Sequence, residues 1–286
     1  MKKVNKILMI VTSILLSLVL ISTCIVSGTL AKFVITKDAT TVVSLKQFGV
    51  KLQIKNGSVT KSDLDANSVT VEYSPTQIYP GFSDKGTVLF AFDGTLNVPA
   101  ILKIRVEVEL DDAFYISSDD FTSLSSEYPG DKAYMPVAFR VGTVSSLSST
   151  TLNGSSMVNY WLSNSINTTD PVGTLETIIE SNFYTRFLDT LGMNNQTDRD
   201  QYGNITDKYS LKEFSQNDSI TFGKSNAAQG SGAVLGPGFG IGIYWPWTQE
   251  SSQSLIETWL SEELSDVANP IKIKITVSLE QKIETT

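Results

Sequence analysis

The run TDRDQYGNITD places Asp198, Asp200, Gly203 and Asp207 close together. Oxygen ligands spaced around a glycine turn are what a calcium loop needs. An EF-hand loop also wants an oxygen ligand where Tyr202 stands and a glutamate where Tyr209 stands, so the expectation is a solvated turn. Asp111, Asp112, Asp119 and Asp120 in LDDAFYISSDDF form carboxylate pairs of the kind used in glycoside hydrolysis; without a cleft around them they read as wet loop residues. GSGAVLGPGFGIGIYWPW is glycine-rich, but no helix opening on a Lys-Ser/Thr follows it, as a phosphate-binding loop requires. Its Gly238, Gly240 and Gly242 are spaced by two. On a strand they bare one face, while Phe239, Ile241 and Ile243 fill the other. A bare face lets a backbone or a ring approach closely, and Trp245, Pro246 and Trp247 complete a packing motif in which the two indoles are the covering rings. A sugar-stacking platform is the alternative use of those rings.

The chain has 286 residues and no histidine. That excludes a Ser-His-Asp triad, a Cys-His pair and any histidine-ligated metal. No catalytic, cofactor-binding or metal-ligating residue is therefore expected, and the chain is not expected to be an enzyme. Its single cysteine, Cys24, cannot form a disulfide within the chain. Charged residues make up only 18 % of the total, and polar clusters interrupt short apolar runs, which suits an all-β exported protein.

MKKVNK precedes the apolar run Ile7–Val26. A basic start followed by an apolar run is either a secretory signal or an anchor. Thr29 and Ala31 give a small-x-small pattern, so the expectation is a signal peptide over 1–31, cut between Ala31 and Lys32. A retained anchor is the alternative; Thr23 before Cys24 fits a lipoprotein poorly. Loss of 1–31 removes three lysines and no acids, moving the net charge from −8 to −11. An acidic surface argues against nucleic acid as a partner.

Residues 32–286 read as one domain. VPAILKIRVEVEL alternates, with Val98, Ala100, Leu102, Ile104, Val106, Val108 and Leu110 facing one way. IKIKITVSL does the same through Ile271, Ile273, Ile275, Val277 and Leu279. Period-two patterning means strands with one buried and one wet face. VVSLKQFGVKLQIK slips phase between Leu45 and Phe48, which predicts a strand with a bulge near Gln47. TVLFAFD and MPVAFRV are shorter strands. TLETIIESNFYTRFLDTLG predicts a helix with Thr174 as N-cap and Gly192 as its stop, inside a helical and loop insertion over about 142–223. SQSLIETWLSEEL predicts a second helix before the last strand. The predicted fold is an all-β, jelly-roll-like β-sandwich with one or two covering α-helices and that insertion, preceded by the signal helix.

Four features fall in one order: SGTLAKFVITKDATTVVSLKQFGVKLQI, then YPGFSDKGTVLFAFDGTLNVPAILKIRVEVEL, then IGIYWPWTQESSQSLIETWL, then a final alternating strand. Together they resemble the TasA and camelysin family of Gram-positive bacteria, exported through a SipW-type signal peptidase. The chain departs from the family pattern after the cut, where Lys32, Phe33, Val34 and Ile35 stand, and at Trp245-Pro246-Trp247-Thr248, which lacks the usual glutamate. The resemblance implies a secreted or cell-surface matrix protein. It would polymerise head to tail with itself, the N-terminal segment of one copy completing the sheet of the next, and other matrix proteins would be further partners. Phe33, Val34 and Ile35, followed by Ala39–Val43, are the expected assembly strand. A monomeric surface adhesin is the rival reading. A camelysin-like peptidase comes third, without a histidine to hold its metal.

Overall fold

The computed structural model describes residues 40–63, 67–82, 88–116, 132–133, 135–148, 152–158, 170–223, 235–245 and 251–283. The expected leader over 1–31, the expected cut at Ala31–Lys32, the Phe33–Ile35 segment, Asp119, Asp120, Pro246 and Trp247 lie outside them.

With strands numbered in chain order, one antiparallel sheet runs β1 (Thr40–Leu45), β2 (Val50–Lys55), β5 (Val88–Asp93), β13 (Gly238–Tyr244), β9 (Ala138–Val144) and β10 (Asn153–Val158). The other runs β11 (Asn194–Arg199), β12 (Ile205–Phe214), β6 (Ala100–Leu110), β14 (Ile271–Gln281), β4 (Ser68–Tyr73) and β3 (Ser58–Asp63). Two short strands, β7 (Tyr115–Ile116) and β8 (Lys132–Ala133), pair apart from both. The chain alternates between the large sheets: β1–β2 in the first, β3–β4 in the second, then β5 and β6, then β9–β10, β11–β12, β13 and β14 in the same alternation. Among the described residues two helices accompany them, α1 (Pro171–Arg186) and α2 (Ser251–Ser265). The fold is thus the all-β sandwich with few covering helices that the patterning predicted.

The strand phases follow from burial. β6 and β14 pair along their whole length, from Ile271–Leu110 to Gln281–Ala100. Their alternate residues Leu102, Ile104, Val106, Ile273, Ile275 and Val277 are buried in the core. Within the first sheet, Phe90 of β5 and its cross-strand partner Phe239 of β13 stack with ring centroids 4.6 Å apart. Rings in this offset geometry add about 0.5–1.5 kcal/mol beyond their area. Phe183 and Phe187 extend the aromatic cluster to Phe139 and Phe239.

Three local expectations need correction. VVSLKQFGVKLQIK is not a bulged strand but a hairpin. The chain turns through a short 3-10 segment, Lys46–Phe48, and Gly49 takes φ +75°, so Leu45 faces Val50. A left-handed residue at the turn suits glycine. Helix α1 begins before Thr174: Asp170 is the N-cap, its carboxylate accepting from Gly173 N at 2.9 Å, and Pro171 opens the first turn. Gly192 does end the segment, at φ +67°, after a π-type turn over Phe187–Leu191. The stretch 142–223 supplies β10, α1, β11 and β12, so it contributes strands to both sheets.

Candidate functional site

Strand edges are where a β-sandwich can meet another chain, because an edge presents unpaired N–H and C=O groups. Among the described residues, β1 and β10 bound one sheet, and β11 and β3 bound the other. Three of these edges carry the features that discourage strand addition. β10 shifts register between Asn153 and Ser156. β11 shifts between Asp198 and Arg199 and carries both charges. β3 shifts between Val59 and Lys61 and carries Lys61 and Asp63. β1 has none of them. TTVVSL holds no charge, glycine or proline, and it pairs with β2 in unbroken register from Thr40–Lys55 to Leu45–Val50. Its Val42 is 56 % exposed.

A fifth edge lies inside the second sheet, and α1 closes it. β12 pairs with β6 only from Phe214–Ala100 to Ser210–Ile104. Beyond Ile104 the β12-facing amides of β6 meet side chains instead. The Tyr184 hydroxyl accepts from Val106 N at 3.2 Å and donates to Lys208 O at 2.9 Å, with Val106 O at 3.1 Å as its other acceptor. Glu180 Oε1 accepts from Val108 N at 2.9 Å, and Glu176 Oε1 from Leu110 N at 2.7 Å. The match is one of pitch. Positions i, i+4 and i+8 on a helix rise by about 6 Å per step, and alternate strand residues advance by about 6.6 Å. One stripe of α1 therefore stands where a neighbouring strand's acceptors would be. Leu175, Ile179 and Phe183, beside that stripe, are fully buried and anchor the helix.

Where β12 leaves β6, a cleft of about 440 Å³ opens, lined by Arg105, Glu107, Thr177, Glu180, Tyr184 and Asp207 among others. Arg105 Nε reaches across it to Asp207 Oδ1 at 2.8 Å. Burial pushes the Glu176 and Glu180 carboxyls above the ordinary glutamate range, outweighing the amide each accepts. Burial raises the Tyr184 phenol to about 12. On the wet face of the same sheet, hydrogen bonds from Lys272 and Lys274 hold Glu109 below the ordinary range.

The sequence-predicted residues fall elsewhere. Asp198, Asp200, Gly203 and Asp207 lie in the β11–β12 hairpin, and each carboxylate is engaged locally. Asp200 accepts from Tyr202 N, Asn204 N and Asn204 Nδ2, and the bonds from Asn204 lead in lowering its pKa. Tyr209 donates to Asp198, and Arg105 holds Asp207. Asp111 caps the short helical turn Asp112–Phe114 through Ala113 N. Among the described residues no group of three or more His, Cys, Asp or Glu side chains could hold a metal ion. No helix among them is long and apolar enough to cross a membrane.

Gly238, Gly240 and Gly242 lie on β13 as expected, with Phe239, Ile241 and Ile243 in the core. A Cβ on Gly238 would land on Phe90 O and 2.7 Å from Val144 Cγ2. One on Gly240 would meet Leu152 and Leu89. Aliphatic chains and backbone cover these two glycines. Trp245 continues the odd-numbered row with Ile243 and is wholly buried in the core. Its backbone clasps the YPGF turn, donating to Phe82 O and accepting from Gly81 N, both at 2.9 Å.

Thr40–Val43, expected as part of a donated strand, pair with β2 of their own chain. Any donated segment is confined to residues before Thr40. Glu176, Glu180 and Tyr184 were not singled out in the sequence. Their signal is a polar i, i+4, i+8 row beside an apolar one.

No family model, no curated protein and no solved structure matches the chain.

Proposed function

We propose that the chain is an exported structural protein of the extracellular or biofilm matrix that assembles into fibres by strand addition. The observation that carries this reading is β1. It is the one described edge strand with unbroken register and no charge, and it directly follows the segment Lys32–Ala39, which holds the β-prone Phe33, Val34 and Ile35. A chain whose first described strand is the outermost of its sheet can offer the residues before it to a neighbour. Addition to a sheet edge would satisfy their backbone groups, the strand-addition mode of recognition. Each copy would give one segment and accept one, a head-to-tail contact that propagates rather than closes. The resemblance to TasA and camelysin supports the same reading, with a SipW-type peptidase as the processing partner.

The test compares chain 32–286 with the same chain lacking Lys32–Ala39, which leaves β1 intact. Size exclusion and negative-stain microscopy should find fibres in the first and folded monomer in the second. Fibres from both would overturn the donation mechanism. Monomer from both would overturn the fibre reading and favour a surface adhesin.

A further inference from the structure

The stripe on α1 does for β6 what a strand would, but with groups that titrate. The ladder between β12 and β6 has the register Ser210–Ile104; continued, it would set Lys208 opposite Val106 and Thr206 opposite Val108. Instead Tyr184, Glu180 and Glu176 hold the amides of Val106, Val108 and Leu110. An acceptor that can change its charge makes a contact whose strength depends on pH.

We propose that α1 is a proton-operated latch on this edge: mild acid closes Glu176 and Glu180 onto β6, and their ionisation loosens them and bares the amides of Val108 and Leu110.

The surroundings fix the sign. Glu176 and Glu180 are one helical turn apart on α1. Asp170 at the N-cap of the same helix, Glu107 on β6 and Asp112 just beyond it add negative charge around them, as does Glu109 of β6, whose charge is shared with Lys272 and Lys274 of β14. From β12, Lys208 opposes that charge at Glu180, while Arg105 of β6 is already engaged by Asp207. The two carboxylates therefore sit partly out of water in a field that is mostly negative, which favours their neutral form. A released carboxylate, back in water, has no such preference. Linkage then requires that protonation favour the closed arrangement and ionisation the open one. A neutral carboxyl still offers a carbonyl oxygen to the amide, so closure does not need the charge. The Tyr184 phenol stays protonated throughout, since it is raised to about 12, and it anchors the Val106 end while the other two contacts respond. The latch concerns an edge that α1 already covers, so it stands independently of fibre assembly through β1.

The test is amide hydrogen exchange on the full chain between pH 5 and pH 8, corrected for the intrinsic pH dependence of exchange. Val108 and Leu110 should lose protection several-fold as the pH rises, while Ile104 and Ile275 hold theirs. The double variant Glu176→Gln, Glu180→Gln keeps an acceptor at each position and removes the titration, so its protection at Val108 and Leu110 should be flat. Corrected protection in the unsubstituted chain that does not change with pH would overturn the latch. So would a double variant that keeps the full pH slope, because the slope would then arise elsewhere. If the double variant does not fold, Lys208→Gln supplies the check. Removing that opposing cation should shift the loss of protection to higher pH, and an unshifted profile counts against the proposal.

Discussion

The Tyr184 hydroxyl sits between Val106 and Lys208, 3.2 Å from the amide of the first and 2.9 Å from the carbonyl of the second. These two residues would be partners if the β6–β12 register continued past Ile104 and Ser210. One side-chain oxygen thus ends a ladder and satisfies both of the backbone groups it separates. Tyr184→Phe keeps the ring against Phe187 and removes only that oxygen. Leaving a buried amide without a partner costs about 1–3 kcal/mol. Urea unfolding should show a lower midpoint with an unchanged slope, because the compactness of the fold is not at issue. An unchanged midpoint would mean that water replaces the hydroxyl at no cost.

The charged rows predict opposite pH dependences. Glu109 lies below its ordinary value of 4.5 because Lys272 and Lys274 bond it. Its contribution to stability is present above 4.5 and is lost as the pH falls through the lowered folded value. Glu176 and Glu180 lie above 4.5. Their contribution is fully present below 4.5 and is lost as the pH rises through the raised folded values. Thermal melts across pH 3–8 should therefore separate the variants. The deficit of Glu109→Gln relative to the unsubstituted chain should shrink towards acid. Glu180→Gln should gain on the unsubstituted chain as the pH rises above 4.5. Parallel curves for all three chains would show that neither set is coupled to folding.

The period-two strands were legible because each has one wet and one dry face. Val106 is fully buried while its neighbour Glu107 is exposed. Val106→Asp should bury an unpaired charge and cost about 3–5 kcal/mol, and Glu107→Ala should change stability by about 0.5 kcal/mol. Chemical denaturation of the pair measures the strand phase directly, and equal losses would contradict it.

Other elements were not legible, for reasons that can be traced to particular residues. β11 reads NNQTDR and is exposed along its whole length, so no alternation marks it as a strand; only its pairing with β12 does. The β1–β2 hairpin looked like one strand because Leu45, Val50 and Leu52 are all buried on the core side and the turn between them is only a few residues long. The glycine after Phe48 was the available signal. Asp170-Pro171 was a better helix start than Thr174, since an acceptor followed by proline satisfies the N-cap and first-turn preferences together. The α1 stripe was hidden because its partners are backbone amides, which leave no mark on sequence. Trp245 was misplaced for a simpler reason: its odd number puts it with Phe239, Ile241 and Ile243, away from the glycines.

Val42 offers the most direct test of β1 as the open edge. Its side chain is 56 % exposed, so a change there should alter stability by no more than about 0.5 kcal/mol. A charged side chain on an edge strand is a means by which natural sheets refuse an added strand. A lysine at position 42 would give β1 the kind of guard that Lys61 gives β3 and Arg199 gives β11. Val42→Lys in chain 32–286 should therefore keep the melting temperature and lose the fibres, as judged by light scattering and negative-stain microscopy. Gln196→Lys on β11 is the matched control: the same charge on an edge that is already guarded should leave fibres intact. Loss of fibres in both would reduce the effect to overall charge. Fibres in both would mean that strands add elsewhere than at β1.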